Sequence, residues 1–143
     1  MYSTAHLAMG LIIGKVTGDY PTAVISSVAI DLDHLIPFAK QKIIFNFKKM
    51  LKAAKTPHES SRSYLHSFFA FAILTGGICL INLPVGLVFG LGYLGHFLLD
   101  ALDRDDLYPF FPIKRFNTHG FIGYYSKAEL LFTILLFLLY FII

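Results

Sequence analysis

Seven side chains able to ligate a metal interrupt an otherwise apolar sequence: His6, Asp31, Asp33, His34, His66, His96 and Asp100. Imidazole nitrogens mixed with carboxylate oxygens suit zinc, manganese or iron, and seven donors are enough for two ions. Their spacing is helical. Asp31 and His34 are three residues apart, Arg62 and His66 four, and His96 and Asp100 four, so each pair shares a helix face. Asp33 points elsewhere if its helix persists and rejoins the others only if the turn before Pro37 is extended. Two carboxylates and an imidazole inside AIDLDHLIP (residues 29–37) are costly to bury unless something pairs them. A bound cation would pair them; a metal-free network of His–Asp hydrogen bonds is the competing reading. His58 and His119 lie in polar loops and read as surface residues, and Asp103, Arg104, Asp105 and Asp106 read as a solvated helix exit.

The elements that must position these groups are helices in a membrane. The chain has 143 residues and reads as a single domain, 1–143. It is 56% hydrophobic and 15% charged, with a mean hydropathy of +0.65. Soluble domains are about 45–50% apolar and about 25% charged, so the departure is toward lipid. Turn signals at 17–21, Pro37, 82–84 and 105–112 divide the apolar runs. They leave five helices, near 4–16, 21–36, 62–81, 85–101 and 126–143. The expected fold is all-α, a polytopic membrane bundle of four to five antiparallel helices. Gly76, Gly77, Gly86, Gly90, Gly92 and Gly95 are poor choices in a soluble helix but allow close helix approach in a membrane. Residues 40–55 place Ile43, Phe47, Met50 and Ala54 at helical spacing, with Lys48, Lys52 and Lys55 elsewhere around the axis. That pattern predicts an amphipathic helix lying on anionic lipid. No aromatic stacking platform or groove-reading motif accompanies it, so no nucleic-acid partner is expected. The first residues lack the basic start of a removable signal peptide. Cys79, the single cysteine, reads as a small core residue.

Alternating helices bring the Met1 end, the 37–62 loop and the 102–126 loop to one side. That side carries every Lys and Arg except Lys15, which predicts that it is cytoplasmic in a multi-pass inner-membrane protein. The same threading brings His6, the 31–34 group, Arg62, His66 and the His96–Asp100 pair to that end.

The order His6, DLDH (31–34), RSYLHS (62–67), GYLGHFLLD (92–100) and Phe111-Pro112 resembles the YdjM-like proteins, inner-membrane proteins expected to be metal-dependent hydrolases. The resemblance runs from about residue 4 to 113. In two places this chain departs from the family pattern near its ligands: Ser61 replaces a histidine and Leu65 a threonine. In a third, Asp103 stands where a threonine is common. More distantly, the ligand order is similar to the zinc-dependent phospholipase C and single-strand nuclease superfamily. That likeness implies two Zn2+ ions, with Mn2+ or Fe2+ as alternatives. His66, His96, Asp100 and one of Asp31 and Asp33 would hold the first. Asp100 would bridge to a second on His6, with His34 as an extra ligand. The expected activity is hydrolysis of a phosphate ester of a membrane lipid by a metal-activated water. Asp31 or Asp33 would be the general base, Arg62 the phosphate-holding catalytic residue, and Ser67 a further substrate contact. The alternative is a non-catalytic membrane protein whose His–Asp cluster is structural or related to transport.

Overall fold

The computed structural model describes residues 1, 3–40, 42–43, 45–46, 48–49 and 64–143, with the backbone alone at His34 and Pro37. The helices are α1 (Ser3–Thr17), α2 (Tyr20–Val28), α3 (Leu35–Lys40), α4 (Phe68–Ile81), α5 (Leu83–Leu102) and α6 (Lys127–Ile142). A 3₁₀ segment, Ala29–His34, joins α2 to α3. The described residues form no strand, only two isolated bridges in the 103–126 loop, Asp103 with Ile122 and Leu107 with Thr118. The amphipathic helix expected over 40–55 lies for the most part outside the described residues.

Two helix boundaries differ from expectation, each for a local reason. The second helix was expected to be uniform over 21–36 and closed by Pro37; instead it changes winding at Ala29 and helical structure continues to Lys40. Pro37 has no N–H to give the carbonyl of Asp33 four residues back, so a regular α-turn cannot run through it. The chain tightens there, and the Leu35 N–H reaches Leu32 O three residues back and Asp33 O. The third helix begins at Phe68, not near 62, because Ser67 caps it: the Ser67 hydroxyl accepts from Ala70 N at 3.2 Å. His66 therefore sits in a turn and not on a helix face.

Packing follows the small residues. α5 lies against α1, α2 and α4, while α1 also touches α6. Gly92 of α5 backs directly onto α2, where a Cβ would fall 1.9 Å from Ser26 Oγ and 2.9 Å from Ala23 O. Gly10 lets α1 approach α2 in the same way, with a Cβ 2.9 Å from Val24 Cα. Gly76 and Gly77 do not take part, since nothing lies within 4 Å of a Cβ at either. Between α1 and α2 the chain reverses at Gly18, whose φ of 80° favours glycine, and Asp19 caps α2 through Thr22 N.

The interior and exterior invert those of a water-soluble domain. Small and polar residues are buried, among them Ala5, Ala8, Ser26, Ser27, His6, Asp33 and Asp100. Large apolar side chains face out along α4 and α6, including Ile73 at 72% and Leu80 at 92% exposure. An apolar exterior this extensive suits lipid and not water. Among the described residues two helical stretches, Tyr20–Lys40 and Leu83–Leu102, are long and apolar enough to cross a bilayer.

Candidate metal centre

Four elements converge at one end of the bundle. The start of α1 brings His6, the 3₁₀ segment Asp31 and Asp33, the turn before α4 His66, and the last turns of α5 His96 and Asp100. All but Asp31 are buried almost completely; its side chain is 19% exposed.

The two central imidazoles are oriented by what their Nδ1 atoms meet. His96 Nδ1 lies 2.8 Å from Ser27 O, a carbonyl that can only accept, so Nδ1 carries the proton. His66 Nδ1 lies 2.9 Å from Asp33 Oδ2 and donates to it. In each neutral ring the lone pair is therefore on Nε2. These two Nε2 atoms face each other at 3.1 Å. Both also face Asp100 Oδ2, at 3.2 Å from His66 and 3.3 Å from His96, and Asp31 Oδ1, at 3.8 and 3.7 Å. Two lone pairs and two carboxylate oxygens converging on one point require a cation there, whether a proton or a metal ion. Burial by itself pushes the His66 imidazolium down; hydrogen bonds and charge from Asp100 and Asp33 outweigh it and raise its pKa to about 9.

His6 stands on the other side of Asp100. Its ring stacks on His96, with centroids 3.9 Å apart, and Nε2 lies 3.5 Å from Asp100 Oδ1. Neither nitrogen of this buried ring makes a hydrogen bond, which is uncommon for a buried polar side chain. Two donor groups thus fit a metal ion: His6, His96 and Asp100, and Asp31, His66 and His96. They share His96, and Asp100 presents one oxygen to His6 and the other to the His66–His96 pair.

The expected residues do not all meet. His6, Asp31, His66, His96 and Asp100 come together. Asp33 reaches the same imidazole as Asp31 but from the Nδ1 side, behind the ring. Ser67 is engaged as a helix cap, accepting from Ala70 N while its hydroxyl donates to Tyr64 O at 2.8 Å. Arg62 and His58 lie outside the described residues, as does the side chain of His34. His119 is exposed and paired with Asp106 at 3.0 Å.

Two participants escaped the sequence reading. Asp103, read as solvated, is fully buried; its Oδ2 lies 2.7 Å from the Met1 ammonium, which also donates to Asp100 Oδ1 at 3.3 Å. The signal was present, since Asp103 follows Asp100 by three residues, the interval that keeps side chains on one helix face. The Ser27 carbonyl left no comparable trace, because a backbone acceptor has no residue-type signature.

The family model described as YdjM inner membrane protein matches residues 1–143 of the chain. Neither a curated protein nor a solved structure matches it.

Proposed function

The chain belongs to the YdjM inner membrane protein family, and from that premise we propose that it is a multi-pass, metal-dependent hydrolase of a lipid phosphate ester. Support comes foremost from the Nε2 lone pairs of His66 and His96, held 3.1 Å apart and aimed with Asp100 Oδ2 at one point. His66, His96 and Asp100 would supply three protein donors, the number that leaves a catalytic site one open position. His6, which lies 3.5 Å from Asp100 Oδ1, would offer a donor to a second ion. Zinc suits this donor set, and manganese or iron would also be accepted. A divalent ion held here supplies an acidified water and electrophilic stabilisation of a phosphoryl oxygen.

The remaining roles belong to the chain. Among the described members of the cluster Asp31 alone is partly exposed, so substrate and water would approach past it. Asp31 Oδ1 then takes the proton released from the attacking water as general base. Arg62 is assigned the phosphate oxygen from its residue type, a guanidinium suited to a bidentate contact, and not from helical spacing. By the positive-inside rule the lysines and arginines of the 37–62 and 102–126 segments favour the cytoplasm for that side, and the site would face it. A lipid phosphate reaches such a site by lateral diffusion in the leaflet.

One observation favours a second reading. The near-complete burial of His6, His66, His96 and Asp100 is what a closed, structural metal site has. Metal analysis of the purified protein and of a His96→Ala/Asp100→Ala variant, combined with a phosphate-release screen over lipids, separates the two. The hydrolase binds stoichiometric metal, loses it in the double variant, and releases phosphate from at least one lipid. Metal that survives the double substitution removes the site. Metal without turnover of any phosphate ester leaves the structural reading standing.

A further inference from the structure

Asp31 and Asp33 are separated by one residue and face opposite edges of the same imidazole. The 3₁₀ winding explains how: at three residues per turn, each step rotates the side chain by ~120°, so these two carboxylates leave the axis in different directions. Asp31 Oδ1 lies on the Nε2 side of His66 at 3.8 Å, and Asp33 Oδ2 on the Nδ1 side at 2.9 Å. In an α-helix, at ~100° per residue, the two would leave the axis ~160° apart instead of ~120°.

We propose that Asp33 is a positioning residue of the metal centre, which holds His66 in the Nδ1–H tautomer and strengthens its Nε2 as a donor without itself touching the ion. This rests on the metal reading above. The Asp33 carboxylate is buried, so its charge acts on the ring with little screening. Such carboxylate–imidazole–metal arrangements fix ring orientation and raise ligand basicity. The partner ring, His96, is held by the neutral carbonyl of Ser27 instead. The centre is therefore asymmetric, with His66 the stronger donor. The turn that carries His66 is secured independently, because the Tyr93 hydroxyl donates to Leu65 O. Loss of the Asp33 contact thus frees the ring more than the backbone.

The test is uptake of Co2+ and Zn2+ by detergent-purified full-length protein and its variants. In Asp33→Asn the amide oxygen can still accept from Nδ1–H, but the charge is gone. This variant is expected to bind Co2+ with the wild-type visible absorption bands and stoichiometry, while its Zn2+ affinity falls roughly 10- to 100-fold. Asp33→Ala falls further. Asp100→Asn, which alters a ligand, changes the Co2+ bands themselves. Altered bands in Asp33→Asn would make Asp33 a ligand and overturn the inference, as would an unchanged Zn2+ affinity. If the variants do not fold, the ¹⁵N imidazole signals of His66 in the Zn2+-loaded wild type decide. A protonated Nδ1 with a metal-bound Nε2 supports the inference, and the reverse assignment refutes it. Wild-type protein that takes up no Co2+ or Zn2+ instead sinks the metal reading itself.

Discussion

α4 and α5 are neighbours in sequence and in space, both apolar and both containing glycines, yet they have opposite fates. No residue of α4 is buried, whereas α5 buries Gly86, Gly90, Gly92, Tyr93, Gly95, His96, Phe97, Leu99 and Asp100. Apolar character alone does not decide burial, since α4 is the more apolar of the two and is the one left exposed. What separates them is the placement of small residues: the glycines of α5 fall on faces met by α1, α2 and α4, and Gly76 and Gly77 of α4 meet nothing. Close backbone approach then encloses the histidine and aspartate of α5 and leaves Phe69, Ile73 and Leu80 of α4 and Leu87, Leu91, Leu94 and Leu98 of α5 to the lipid.

The sharpest way to break that comparison is a single methyl group. Gly92→Ala would force α2 away from α5 and should lower stability by about 1–3 kcal/mol, the range for overpacked cores. Gly76→Ala has open space and replaces a poor helix former, so it should be neutral or raise stability by up to ~1 kcal/mol. Thermal unfolding of both variants in the same detergent measures the contrast, and equal shifts would refute it.

A second contrast concerns pH. His66 has a pKa raised to about 9, so the stabilisation of metal-free protein by its charged form is complete below about 6.5 and fades as pH rises through about 9. Metal binding must displace that proton, so the trend in affinity runs the other way. Co2+ affinity should rise by roughly tenfold per unit from pH 7 toward 9, then level off. Affinity that is flat over this interval would show that His66 is not a ligand.

The smallest effect is expected far from the centre, in the 103–126 loop. Asn117 Nδ2 donates to Asp106 Oδ1 at 2.9 Å and, with smaller contributions from Tyr108 and His119, holds that carboxyl below its usual value. A depressed carboxylate pKa contributes stability above pH ~4 that disappears as pH falls through the folded value. Asn117→Ala should move the Asp106 titration upward, read from its ¹³C carboxyl shift, while Co2+ binding stays as in wild type.

Much of this molecule was legible beforehand. The five apolar segments, the convergence of His6, Asp31, His66, His96 and Asp100, and the role of the α5 glycines follow from periodicity, from antiparallel threading and from side-chain size. The start of α4 was misplaced because Ser67 caps the helix only once the preceding turn is folded. Asp103 was misread because charge next to Arg104, Asp105 and Asp106 looks like a solvated run, and only the closure of the loop onto α1 buries it.

Composition and spacing by themselves determined that the chain is helical and lipid-compatible, and that its ionisable groups gather at one end. Those properties depend on which residues recur at which interval. Only the tertiary structure decided which edge of the His66 ring Asp31 and Asp33 each face, and the tautomers of His66 and His96. The first depends on how the chain winds ahead of Pro37. The second depends on a carbonyl and a carboxylate brought from distant parts of the chain, and no local pattern encodes either.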